Sequence, residues 1–198
     1  MWNEKIVILI ILATLFGGGQ NDLPKSNREA VVIKKAEVVL DTTPIFLQGN
    51  TYESLDGTLI DFSQVKGKVL FLDFWGTWCR PCIRQHPDVD ELEKKINHPD
   101  FQLVMVSTDR DSNRQKWKNF VKEEQWAGMH IRMKQGAVEN PLNRLVTEIV
   151  REKNREPLTR IGVPRYFVVD KQLHIFEIDD LKSAETLELI MGELSEKT

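Results

Sequence analysis

The chain has 198 residues, a formal net charge of −3, 41% hydrophobic residues and 29% charged residues. That length suits one domain, or one domain with appendages, and the mild acidity argues against the basic footprint that nucleic-acid binding needs. Two cysteines, Cys79 and Cys82, are too few for a disulfide scaffold; at C-x-x-C spacing they form a redox pair or half of a metal site.

Taken in order, the chain opens on an almost wholly apolar run, Ile6 to Phe16, with Lys5 before it and Gly17-Gly18-Gly19 after it. The run is about half the ~20 residues a membrane-spanning helix needs. Residues 1–19 therefore read as a secretory signal in preference to a permanent anchor. No cysteine follows to make a lipoprotein signal. Residues 20–42 read as a polar linker carrying a candidate extra strand around Val31-Val32-Ile33 and Val38-Val39-Leu40.

From residue 43 to 198 the pattern is domain-like. Ile45-Phe46-Leu47 and Leu59-Ile60-Asp61-Phe62 are strand candidates with Asp56-Gly57 as a turn between them, and Ser63-Gln64-Val65 suits a helical turn. Val69 to Trp75 is so uniformly apolar, Asp73 apart, that residues 68 to 75 predict a buried central strand. An amphipathic helix follows through Ile83 to Ile96, then an apolar strand from Phe101 to Ser107. Ser112 and Gln115 have capping-box spacing and open a helix presenting Trp117, Phe120 and Val121 on one face. His130 to Met133 predicts a short strand, and Pro141 to about Lys153 a further helix with Val146, Ile149 and Val150 on its apolar face. Tyr166 to Asp170 and His174 to Ile178 form two strands turning at Lys171-Gln172. Ser183 to Glu196 closes as a helix with Leu187, Ile190, Met191 and Leu194 on one side. Alternating strands and helices followed by a hairpin imply an α/β fold, with a parallel core sheet and late antiparallel strands.

The chemistry lies where the central strand meets its helix. A free cysteine is mostly protonated at neutral pH, and disulfide exchange needs the thiolate. Cys79 stands at a helix start, where the backbone N–H groups and the macrodipole favour negative charge. Arg80 adds a cation, and Pro81 suits a first helical turn. Cys79 is therefore the expected nucleophile, more exposed than Cys82. Cys82, one turn further, is placed to resolve a mixed disulfide. That step requires Cys82 to lose its proton, and Asp73 is the candidate base. A carboxylate inside an apolar strand must find a partner or have its pKa raised. A raised pKa suits proton acceptance at neutral pH.

Other readings compete. A zinc or copper site, holding metal without catalysis, would draw on Cys79, Cys82 and His86 and need His174 as fourth ligand. A covalent haem would want a histidine where Ile83 stands. A peroxiredoxin-type peroxidase would want a Pro-x-x-x-Thr/Ser-x-x-Cys context, but Gly76 stands three residues before Cys79.

The segment Asp73-Phe74-Trp75-Gly76-Thr77-Trp78-Cys79-Arg80-Pro81-Cys82 resembles the active-site segment of thioredoxin-fold thiol–disulfide oxidoreductases, with Pro87 where that family kinks its first helix. The lead-in from Pro44 to Lys68 is similar to the TlpA/ResA-like branch. The resemblance implies a thioredoxin fold: a central mixed sheet flanked by helices, an N-terminal strand extension, and an insertion before the cis-proline strand. Within Ile161-Gly162-Val163-Pro164-Arg165-Tyr166, Pro164 takes the place of the cis proline. The implied substrate-binding set is Trp78, Arg80, Pro81, Val163 and Pro164, with Val163 pairing through its backbone to a bound chain. The resemblance further implies an exported protein, periplasmic or membrane-associated and facing the periplasm. Its partners would be protein thiols and disulfides, its electron donor a membrane protein, and its only redox group the cysteine pair, with no other cofactor.

Overall fold

A computed structural model describes residues 50–133, 141–150 and 158–195. The export segment, the linker, the candidate strands within residues 31–40 and Ile45-Phe46-Leu47 lie outside the described residues. The elements are β1 (Tyr52–Ser54), β2 (Leu59–Ile60), a 3-10 turn (Phe62–Val65), β3 (Val69–Trp75), α1 (Arg80–Ile96), β4 (Phe101–Ser107), a second 3-10 turn (Asp111–Asn113) and α2 (Arg114–Glu124). They continue as β5 (Met129–Arg132), α3 (Pro141–Val146), β6 (Thr147–Val150), β7 (Leu158–Ile161), β8 (Arg165–Val169), β9 (Ile175–Ile178) and α4 (Ala184–Ser195).

A seven-stranded sheet runs in the order β2-β1-β5-β4-β3-β8-β9, and β6 and β7 form a separate two-stranded ribbon. The β3–β4 and β4–β5 pairs are parallel, whereas β8 runs antiparallel to β3 and β9 to β8. β3 lies inside the sheet, between β4 and β8, because it can: every one of its residues is buried, as expected for a strand covered on both faces. The side-chain period of two then divides it. Val69, Phe71 and Trp75 pack with Val89, Leu92 and Ile96 of α1, Trp117 and Val121 of α2, and Ile190 and Leu194 of α4. Leu70, Leu72 and Phe74 pack on the opposite side with Phe62, Val65 and, from α3, Leu142, Leu145 and Val146. Asp73 is in step with Phe71 and Trp75, so its carboxyl belongs to the face that also buries both cysteines.

Three expectations need correction. The helix from Pro141 ends at Val146, and Thr147–Val150 is a strand paired antiparallel with Leu158–Ile161. Thr147, Ile149 and Val150 are β-branched, and a cross-strand partner lies close in sequence, so the hairpin wins over a longer helix. The Ser112–Gln115 capping box does not form: α2 has Asn113 at its N-cap with no side-chain cap bond, and the Gln115 amide instead donates to Asn119 Oδ1 at 2.8 Å. On α4 the buried stripe is Thr186, Ile190 and Leu194, while Met191 is exposed. The cap explains the shift, since Ser183 Oγ accepts from Thr186 N–H and Thr186 Oγ1 donates to the Asp180 carbonyl, which turns Thr186 inward.

Candidate active site

Backbone direction builds the turn. β3 ends at Trp75, Cys79 N–H donates to the Gly76 carbonyl at 2.9 Å, and Cys79 becomes the N-cap of α1. Gly76 leaves room for the Trp78 ring here. A Cβ on it would stand 2.6 Å from Trp78 Nε1, because the Trp78 indole folds back over that backbone. Pro81 sits in the first turn of α1, where no N–H is missed. Pro87 lies inside the helix, where its ring removes one backbone bond.

Cys79 and Cys82 are joined as a disulfide, with their Cα atoms 5.3 Å apart. Cys79 Sγ accepts a hydrogen bond from Cys82 N–H at 3.2 Å, the capping position where a thiolate would gain most from the helix terminus. The same sulfur lies 3.8 Å from the Val163 carbonyl oxygen. The Val163–Pro164 peptide bond is cis. Thus the turn after β3 and the loop before β8 meet at the disulfide, although 84 residues separate Cys79 from Val163.

Exposure does not distinguish the cysteines as expected. In the disulfide form Cys79 and Cys82 are 3% and 4% exposed, and the Val163 carbonyl lies against the Cys79 sulfur. Their different bonding separates them instead: Cys79 Sγ is the helix cap. Trp78, Arg80 and Pro81 are exposed around the pair, and Val163 and Pro164 are half-buried. A groove lined by Arg160, Ile161, Gly162, Val163, Pro164, Arg165 and Glu177 runs beside the cis-proline loop. Arg165 is committed within it, pairing with Glu177 at 2.5 Å, donating to the Leu145 carbonyl and lying over the Phe167 ring.

Asp73 is buried, and its Oδ1 has no hydrogen-bond partner among the described residues. Burial alone pushes its carboxyl up to about 8. Tyr166 is its register partner on β8. The Tyr166 hydroxyl is pushed above the usual phenol range, first by burial and then by the Asp73 charge, and it donates to Gln85 Oε1 at 3.2 Å.

His86, one turn after Cys82, is buried and stacks on Trp126 at 3.6 Å between ring centroids. Burial lowers its pKa to about 4 against the opposing pull of Asp90, and His130 lowers it further. Its Nε2 lies 3.2 Å from Asp90 Oδ1, but the angle makes no hydrogen bond; a neutral ring beside a carboxylate is not an ion pair. His174 stands on the β8–β9 turn with Nδ1 2.7 Å from Asp170 Oδ2. The described residues contain no group of three or more His, Cys, Asp or Glu side chains placed to hold a metal ion.

Sequence reasoning passed over Asp109. It is fully buried at the end of β4, and it accepts from Thr77 N–H at 2.9 Å, Thr77 Oγ1 at 2.7 Å and Ser107 Oγ at 2.9 Å. The partner is 32 residues away, so no local pattern marks it.

A disulfide whose first cysteine caps a helix, a cis proline opposite it and a buried acid in the adjoining strand come together on a thioredoxin-like fold. The sequence matches the Redoxin family over residues 41–186, and the chain belongs to that family. It is similar to the thiol-disulfide oxidoreductase ResA of Bacillus cereus (strain ATCC 10987 / NRS 248), with 32% identity over 60% of this chain and 62% of the relative. A similar match is ResA of Oceanobacillus iheyensis, with 32% identity over 55% of this chain and 53% of the relative. The chain thus spans less than two thirds of the length of these curated relatives. Two solved structures share the fold. A thiol:disulfide interchange protein of the thioredoxin family from Chlorobium tepidum superposes with TM-score 0.54 at 20% identity, covering 74% of this chain and 93% of its own. A secreted thiol-disulfide isomerase from Corynebacterium glutamicum gives 0.55 at 20% identity, covering 76% and 86%.

Proposed function

We propose that this chain is an exported thiol–disulfide oxidoreductase that works as a reductase on protein disulfides. The observation that carries the proposal is the placement of Cys79 Sγ at the N-cap of α1 and against the Val163 carbonyl. In the dithiol form the Cys79 thiolate attacks one sulfur of a substrate disulfide. A Cys79–substrate bond forms, the substrate S–S bond breaks, and the electron pair leaves on the departing thiolate, which takes a proton. Asp73 accepts the Cys82 proton. The Cys82 thiolate then attacks Cys79 Sγ, the Cys79–Cys82 bond forms, and the second substrate thiol is released. Two electrons have passed from the pair to the substrate, and an external thiol donor must return them for the next cycle.

Trp78, Arg80 and Pro81 form the exposed rim that receives the substrate, and Pro164 walls its far side. The Val163 backbone pairs with an extended substrate segment. A base near Cys82 favours reductase work, because it speeds the step that frees the reduced substrate. Residues 1–19 direct export, residues 20–42 are the linker into the domain that begins at residue 43, and a membrane dithiol protein supplies the electrons. The ResA likeness and the secreted Corynebacterium glutamicum neighbour support the exported location.

Trapping tests the roles. Cys82→Ser is expected to accumulate mixed disulfides with substrate proteins and Cys79→Ser to accumulate none, read on non-reducing gels. Equal trapping by both variants would reverse the assignment.

A further inference from the structure

The residues just after β4 grip the turn that carries the cysteines. Thr108 N–H and Thr108 Oγ1 both donate to the Trp75 carbonyl, at 2.8 and 2.9 Å. Next to it, Asp109 takes both the backbone N–H and the hydroxyl of Thr77, on separate oxygens. Trp75 to Thr77 is therefore bound along its length to a two-residue stretch of the neighbouring strand's end. That stretch is itself fixed. Ser107 Oγ donates to Asp109 Oδ2 and accepts from Asp109 N–H at 3.1 Å. Arg132, buried on β5, donates to the Asp109 carbonyl at 3.3 Å and to Asp111 Oδ1 at 2.6 Å. A carboxyl group accepting several short bonds in a dry site holds its partners directionally.

We infer that Asp109, acting through Thr77, is a positioning residue that holds the Cys79–Cys82 turn in its working shape when the disulfide is open. In the oxidised form the S–S bond itself fixes the spacing of the two cysteines, whatever the turn does. In the dithiol form that covalent restraint is gone. Only hydrogen bonds then keep Cys79 at the N-cap, with its sulfur facing Cys82 N–H and the Val163 carbonyl. The Asp109–Thr77 bonds thus stabilise the dithiol more than the disulfide. Losing them makes the dithiol a less stable, more easily oxidised species and raises the Cys79 pKa. This rests on the oxidoreductase reading of the site. Its readout is the equilibrium of the cysteine pair itself, which answers even for a chain that reduces no protein substrate.

The test equilibrates full-length wild type, Asp109→Asn, Thr77→Val and Thr77→Ser in glutathione buffers. Disulfide plus two glutathione thiols gives dithiol plus one glutathione disulfide, and thiol alkylation counts the dithiol fraction. Asn keeps one acceptor oxygen, so Asp109→Asn is expected to shift the equilibrium toward the protein disulfide by about tenfold, which is ~30 mV for a two-electron couple. Thr77→Val, which removes only the hydroxyl, is expected to shift it three- to fivefold the same way, and Thr77→Ser to stay within twofold of wild type. If Asp109→Asn does not fold, Thr77→Val decides alone. Variants that lower the melting temperature but keep the wild-type equilibrium overturn the inference, because a purely structural role weakens both redox forms alike. So does a shift toward the dithiol, or a Thr77→Ser shift as large as that of Thr77→Val.

Discussion

Two buried carboxylates stand in the same sheet under opposite conditions. Asp73, on β3, is in step with Phe71 and Trp75 of the apolar layer that also holds the cysteines, and burial alone pushes its pKa up to about 8. Glu53, on β1 near the sheet edge, is equally buried, and burial would raise it too. Hydrogen bonds from Arg132, Arg114 and Lys118 outweigh that and hold it at about 2. Arg132 is paired at 2.7 Å, Lys118 at 3.2 Å, and Arg114 donates to the same Oε1. One site surrounds its acid with cations and ties β1, β5 and α2 together. The other leaves its acid without a cation among the described residues, and burial makes it a weak acid at neutral pH, able to take up or release a proton there. The partner set decides which way the pKa of a buried carboxylate moves.

Removing each acid should therefore have opposite consequences. Glu53→Gln is expected to destabilise the domain by about 3–5 kcal/mol, since it removes the carboxylate that Arg132, Arg114 and Lys118 share and leaves the buried Arg132 to Asp111 alone; urea unfolding at pH 7 measures it, and a loss under ~1 kcal/mol breaks the contrast. Asp73→Asn should do the reverse. Its folded pKa lies above its unfolded one, so ionising it opposes folding: the wild type is most stable below the ordinary carboxylate range and loses stability as pH rises toward about 8. At pH 7 the Asn variant is expected to be more stable by about 2–4 kcal/mol, with a flatter profile between pH 5 and 8. The same variant should slow the resolving step while leaving the Cys79 pKa nearly unchanged, and wild-type turnover at pH 7 would remove Asp73 from the mechanism. His86 sharpens the contrast at smaller scale. Its folded pKa is lowered, so the stability it supports at neutral pH is lost as pH falls from 6.5 toward 4. His86→Phe is expected to remove about 1–2 kcal/mol of the drop between pH 7 and 5, read by denaturant melts at the two pH values.

The contrast also marks what the sequence makes legible. β3, α1 and β4 are readable because burial on one or both faces writes itself into the local pattern, and β4 runs over Phe101–Ser107 as expected. Asp73 is readable for the same reason, as a charge that interrupts an apolar run. Glu53 is not, because Arg114 and Arg132 lie 61 and 79 residues away, and Asp109 is hidden in the same way. The β6–β7 ribbon was hidden differently: a short apolar run with charged neighbours fits a helix face or a strand equally well. Cys79 and Cys82 are legible by spacing, whereas the contact on the Cys79 sulfur comes from a loop 84 residues further along the chain.

The reduction potential of the Cys79–Cys82 couple, measured by equilibration with glutathione, tests the central claim most directly. A reductase with a capped Cys79 thiolate and a base for Cys82 is expected near the thioredoxin value of ~−270 mV. A value near ~−120 mV would mark an oxidant and contradict the direction of electron flow proposed for this chain.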